Sequence, residues 1–216
     1  MATAADMITK YREMVDDELD ATLELELLND AKDEIESEQI WLQLLKEQEY
    51  SVTSGLSFGT ALGALPTRFA LDVRMTEDES NFDYDKVGFD DRSQKKYNPT
   101  GYFLDINAGN IHLTGENHSA KTMFLYYTEY SADLTSTDTW VFPSRFHSLI
   151  PLKMAEVYYA ADAGEKSRAW DDRWALQYAK KFTQMTLWND SLKTRNRRDT
   201  GNIQSGTPKS IRRRRR

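Results

Sequence analysis

The period of the apolar residues changes twice along this 216-residue chain, and that change limits the fold more than any other feature. Near the start, Met7, Tyr11, Met14 or Val15 and Leu19 fall at helical spacing. Leu28, Ala31, Ile35, Leu42 and Leu45 follow on one stripe, with Leu27 and Trp41 beside them. Toward the end Trp170, Trp174, Tyr178, Met185, Trp188 and Leu192 repeat the helical pattern. Between these regions the runs 69–75, 84–89, 102–106, 111–114 and 122–130 alternate or are rich in β-forming residues. Turn clusters separate them, the clearest being Asn107-Ala108-Gly109-Asn110, which predicts a hairpin between 102–106 and 111–113.

The spacing predicts a first helix over 6–18 and a second from an N-cap at Asp20 to about Glu49, its outer face loaded with Glu24, Glu26, Asp30, Asp33, Glu34, Glu36 and Glu38. A Gly/Ser/Thr-rich loop over 51–68 follows, with Gly55, Gly59 and Gly63 four apart, and Gly55, Phe58, Gly59 and Gly63 are candidates for a docking loop. Past Pro143, a helix bearing Phe146, Leu149, Ile150, Met154, Val157 and Tyr158 should stop at Gly164. Pro151 interrupts its pattern, so it is kinked there or starts late. The expected fold is α+β. An antiparallel helical bundle of about four helices comes from both ends, 1–50 and 140–194, as one discontinuous domain. It carries a small inserted antiparallel β subdomain over 69–139 and an extended basic C-terminal tail over 195–216.

Several chemistries are excluded. With no cysteine there are no disulfides, thiolate metal sites or cysteine nucleophiles. Apolar runs are far too short for a membrane span. The first residues lack a basic segment followed by an apolar one, so no secretory signal is expected, and the protein is placed in a cytoplasm or in particles assembled there. His112, His118 and His147 share no metal-ligand spacing and read as satisfied or surface histidines. The string Asp83-Tyr84-Asp85-Lys86-Val87-Gly88 fails as a calcium loop, because Val87 falls on a ligand position and Gln94 stands where a bidentate glutamate is needed. The acid pairs Asp16-Asp17, Asp90-Asp91 and Asp171-Asp172 read as solvated surface, and no phosphate-binding or nucleophile motif occurs. The aromatic stripe near the end could serve as a base-stacking platform, but its helical period beside leucine and methionine reads as core or subunit interface. Neither an enzyme nor a cofactor is expected.

Charge is unevenly distributed. Residues 193–216 hold ten basic side chains against Asp199, a charge of +9 that leaves −16 on residues 1–192 of a chain whose net charge is −7. An acidic body repels duplex phosphates while the tail seeks an anionic partner.

The block from Trp140-Val141-Phe142-Pro143-Ser144-Arg145-Phe146-His147, through Lys153-Met154-Ala155-Glu156-Val157-Tyr158-Tyr159, to Gly164-Glu165-Lys166-Ser167-Arg168-Ala169-Trp170-Asp171-Asp172 resembles the C-terminal signature of tailed-phage head-to-tail adaptors. The opening, with Leu27-Leu28-Asn29-Asp30-Ala31-Lys32-Asp33-Glu34-Ile35-Glu36, resembles the N-terminal helices of the same family, the podovirus adaptors related to phage SU10. The resemblance implies a virion protein of the neck, assembled in the bacterial host's cytoplasm. It implies a ring of twelve copies that docks under the portal protein, extends the channel for the genomic DNA and offers a platform to a downstream tail or nozzle protein. Helices would line that ring, and no membrane is involved.

The tail is the candidate docking element: Ile203, Lys209, Ile211, Arg212, Arg213, Arg214, Arg215 and Arg216. Ordering some fifteen residues costs on the order of 15–30 kcal/mol, while exposed ion pairs return about 0–1 kcal/mol each. An ordered tail therefore needs an interface with backbone pairing, buried Ile203 or Ile211 and bidentate arginine contacts, on the portal or on a neighbouring subunit. The alternative is a nucleic-acid-binding protein that uses the arginine-rich tail.

Overall fold

A computed structural model describes residues 2–15, 19–77, 82–161 and 165–204. The first helix, α1 (Ala4–Val15), buries Ala4, Met7, Tyr11 and Val15, the spacing of one helical face. Asp20 caps α2 (Ala21–Ser37), its carboxylate accepting from the Thr22 N–H at 2.9 Å. α3 (Leu149–Ala161) begins late, so Pro151 lies in the first turn, where its missing N–H has no acceptor to lose. α4 (Glu165–Gln204) continues through Arg195, Arg197 and Arg198, residues of high helix propensity, although no apolar period marks that stretch.

The expected antiparallel four-helix bundle is not what these helices make. α1, α2 and α4 each pack on α3, and the connector 134–146 supplies as much core as a helix would. Leu134, Trp140, Phe142 and Phe146 are buried in the same cluster as Met7, Leu28, Ile35 and Leu149. The second helix also stops twelve residues before the expected Glu49. Trp41 is fully buried, a single 3-10 turn (Leu42–Leu44) follows, and the chain turns into β1 (Leu45–Val52). Lys46, Glu47, Gln48 and Glu49 are exposed helix formers, yet the whole segment is laid antiparallel along the last strand, from Leu45 opposite Thr128 to Val52 opposite Lys121. Tertiary pairing overrides weak local propensity here.

Nor is the β region a small insert. After β1 come β2 (Ala61–Ala64), β3 (Phe69–Glu77), β4 (Phe82–Lys86), β5 (Gly101–Asp105), β6 (Asn110–Leu113) and β7 (Lys121–Glu129). They form one seven-stranded sheet in the order β1-β7-β3-β4-β5-β6-β2, curled into a nearly closed barrel. The ladders are antiparallel except between β4 and β5, which run parallel at Asp85–Gly101 and Lys86–Tyr102. The anticipated hairpin is present: Tyr102 faces Leu113 and Asp105 faces Asn110. Gly109 supplies the left-handed residue of its turn, at φ +65°.

The barrel has its own core, with Tyr50, Met75, Tyr102, Ile111, Met123 and Leu125 buried together. At its seam the two end strands lie side by side. The Tyr50 hydroxyl of β1 donates to the Ala64 carbonyl of β2 at 2.9 Å. Gly63 admits the ring, since a Cβ there would sit 2.8 Å from it. Burial pushes the Tyr50 phenol up to about 12 and raises Tyr102 and Tyr178 as well, through burial and then their hydrogen bonds to Asp72 and Glu38. A phenol that ionises near 10 when unfolded, and higher when folded, contributes stability that is intact below about pH 10 and lost as pH climbs through the folded value. Urea midpoints are therefore expected to hold to about pH 9 and to fall from pH 10 to 12. The fall should be shallower in Tyr50→Phe; an identical slope in that variant would remove Tyr50 from the account.

Candidate functional site

The glycine-rich loop is anchored on the barrel. Gly55 and Gly59 adopt φ of +82° and +84° with open space around them, so conformation and not packing calls for glycine there. The Gly55 N–H donates to the His118 carbonyl at 2.8 Å. Phe58 folds back to place its ring 6.0 Å from that of Phe103. Phe103 faces His112 across the β5–β6 pair and stacks on it, the planes 2° apart and the centroids 4.7 Å apart. Phe89 closes the group, 6.1 Å from Phe103 and 38% exposed. Because neighbouring strand residues point to opposite faces, Tyr102 and Leu104 fill the barrel while Phe103 faces outward. The structure thus brings Phe58, flanked by Gly55 and Gly59, together with Phe89, Phe103 and His112 in an aromatic patch. Gly63 belongs instead to the seam.

A second polar site joins the barrel to the helices, and sequence reading missed it. Along one side of α2, Asn29, Lys32 and Glu36 grip the chain where it leaves β7. Asn29 Oδ1 accepts from the Leu134 N–H at 2.8 Å, and Asn29 Nδ2 donates to the Leu134 carbonyl at 3.2 Å. Lys32, fully buried, donates to the Ser131 carbonyl at 2.9 Å and lies 2.7 Å from Asp33 Oδ1. Glu36, also fully buried, accepts from the Ser131 N–H at 2.7 Å, the Ser131 hydroxyl at 2.6 Å and Trp140 Nε1 at 2.7 Å. Arg68, in the turn just before β3, also donates to the Ser131 carbonyl. A second tie comes from α4, where buried Asn189 accepts from the Leu42 N–H at 3.1 Å and donates to the Ile40 carbonyl at 2.9 Å. The outward acid face expected of α2 is only partly outward: Glu36 serves this joint, and Glu24 is buried in a two-point pair with Arg12 at 2.8 and 2.6 Å. The signal available was a polar trio at helical spacing beside an apolar stripe.

The geometry offers little for catalysis. All three histidines are buried. His118 Nε2 lies 2.7 Å from the Thr114 carbonyl, and His147 reaches the Ala2 and Phe142 carbonyls at 3.1 and 2.7 Å. Among the described residues no group of three or more His, Cys, Asp or Glu side chains is placed to hold a metal ion. Trp174, Tyr178 and Met185 of the aromatic stripe are buried in the helical core, not free to stack on bases. The depressions around exposed Val141, between Gln43, Leu134, Thr139 and Trp188, are shallow and open.

The family model described as SU10 adaptor protein matches residues 2–207, almost the entire chain. The chain belongs to that family. It is thus a phage structural adaptor and a component of the virion, a family role that implies assembly and not catalysis. No curated protein matches it. Among the adaptor's described residues no helix is long and apolar enough to cross a membrane. Of the candidate tail residues, Ile203 lies in the last turn of α4. Lys209, Ile211, Arg212, Arg213, Arg214, Arg215 and Arg216 lie outside the described residues.

Proposed function

We propose that the adaptor forms a ring beneath the portal, extends the DNA channel and gives downstream tail or nozzle proteins their attachment platform, with the arginine tail as its docking element. Family membership over 2–207 carries this reading. The separation of charge supports it. A body of −16 lets DNA slide past without being gripped, whereas ten basic residues in the last twenty-four suit a protein or nucleic-acid anion outside the channel. Phe89, which is exposed, and half-buried Phe58, both resting on buried Phe103, offer an apolar contact to the tail-side partner.

The test is the mass of the full chain with and without portal, repeated after deletion of Arg212 to Arg216. The expected result is a ring bound to portal for the full chain, and a folded protein that no longer attaches for the deletion. A strict monomer that never joins portal overturns the reading. Strongly salt-dependent DNA affinity that disappears with the five arginines, alongside unchanged portal binding, would favour nucleic-acid binding by the tail.

A further inference from the structure

Two helix faces of the adaptor expose large side chains that nothing in the described chain covers. On α2, Leu23 (54% exposed), Glu26, Asp30 and Glu34 recur at steps of three and four residues on the side turned from the core. On α4, Leu176 (72%), Lys180, Thr183 and Leu187 (64%) recur at the same steps, opposite Trp174, Tyr178 and Met185. Each stripe spans twelve residues, eleven steps of about 1.5 Å or about 16 Å of helix. The helices are complementary in charge: α2 holds six acids and one lysine, α4 nine basic residues and five acids. Neither the Asp30 nor the Lys180 side chain has an ion pair or hydrogen bond among the described residues.

We infer that the two stripes are the halves of one contact between copies, with α4 of one copy lying antiparallel across α2 of the next, Leu187 on Leu23 and Lys180 on Asp30. The register argues for this pairing. From Leu23 to Asp30 is seven residues, and so is the step from Lys180 to Leu187, so a single antiparallel alignment satisfies both pairs at once. The same alignment sets Gln184 against Glu26 and Leu176 against Glu34, whose carboxylate is already held by Lys153 at 2.8 Å. Because two different surfaces meet, the contact is heterologous. It leaves one free half at each end of a growing chain of copies, and only a closed ring consumes both. The inference rests on the ring reading proposed above and names the surfaces that build the ring.

The chain contains no cysteine, so Leu23→Cys and Leu187→Cys in one full-length chain report the contact directly. Oxidation is expected to give a covalent ladder rising to the ring's copy number, while each single-cysteine variant stays uncrosslinked. A ring seen by native mass measurement without the ladder overturns this contact and leaves the adaptor reading intact. A chain that forms no ring, with or without portal, overturns both. In a second arm, Lys180→Asp and Asp30→Lys, each alone, should raise the concentration for half-assembly at least about tenfold by setting like charges together. The combined variant should recover to within about threefold of the parent. Melting temperatures equal to the parent's separate lost assembly from lost folding, and a combined variant that fails to recover overturns the register.

Discussion

Replacing Glu36 with alanine is expected to lower the unfolding free energy by about 3–5 kcal/mol, the cost of three buried donors left without an acceptor. The carboxylate lies wholly inside the protein and accepts three hydrogen bonds, two from Ser131 and one from Trp140. Truncation strands those three donors inside the protein, while buried Lys32 keeps only the Ser131 carbonyl and Asp33 to hold the same residue. Glu36→Gln should cost less, about 1–3 kcal/mol, because the amide oxygen can serve Trp140 and the Ser131 hydroxyl while its NH2 group meets the Ser131 N–H. The joint predicts more than a lower midpoint. All five tryptophans, at 41, 140, 170, 174 and 188, lie outside the seven strands, so indole fluorescence reports on the helical part of the chain and not on the barrel. In the parent, fluorescence and the β signal in circular dichroism should unfold together. In Glu36→Ala they should separate, the barrel transition moving least. A loss under 1 kcal/mol with coincident transitions would show that Ser131 is held by Arg68 and Lys32 without Glu36.

The parts of the fold legible in the sequence were those where local pattern and final environment agree. α1, the Asp20 cap, five of the strands and the hairpin at Gly109 follow from period and turn chemistry alone. β1 did not, because Lys46, Glu47, Gln48 and Glu49 satisfy a helix locally and become a strand only through β7, some seventy residues onward. β2 is Ala-Leu-Gly-Ala, and its glycine reads as loop until Tyr50 is seen lying over it. The bundle was expected because four amphipathic segments ordinarily bury their stripes on one another. Here the aromatic connector with Trp140, Phe142 and Phe146 takes part of that surface, and no helical period announces it. Among the candidate sites, the glycine loop could be located from composition but not its aromatic neighbours, since Phe58, Phe89, Phe103 and His112 come from four separate segments. Glu24 and Glu36 were read as solvated for the same reason: burial of a carboxylate depends on donors, Arg12 for one and Ser131 for the other, that no local window contains.

Trp41→Ala should be as damaging as loss of Glu36, about 3–5 kcal/mol, through a different mechanism. The indole is fully buried and meets Phe142 and Phe182 edge-on at 5.4 and 5.8 Å. Its N–H donates at 3.1 Å to the Ile35 carbonyl in the last turn of α2, an acceptor otherwise served only by the long 3.4 Å bond from the Glu38 N–H. Trp41→Phe keeps much of the volume and forfeits that bond, so it should cost about 1 kcal/mol beyond its small change in packing. The difference between the two variants, read from urea midpoints, divides cavity from hydrogen bond. Trp41 is also the side chain that sets α2 against α4, reaching Ile35 on one and Phe182 on the other. A cavity there alters the spacing between the outer stripes of those helices before it unfolds either of them. Trp41→Phe, folded at 25 °C, should therefore assemble like the parent. Trp41→Ala, at a temperature where it remains folded, should require a higher concentration to form the ring. Equal assembly by the two variants would mean that the stripes are positioned by α3 alone, with Trp41 confined to holding the core.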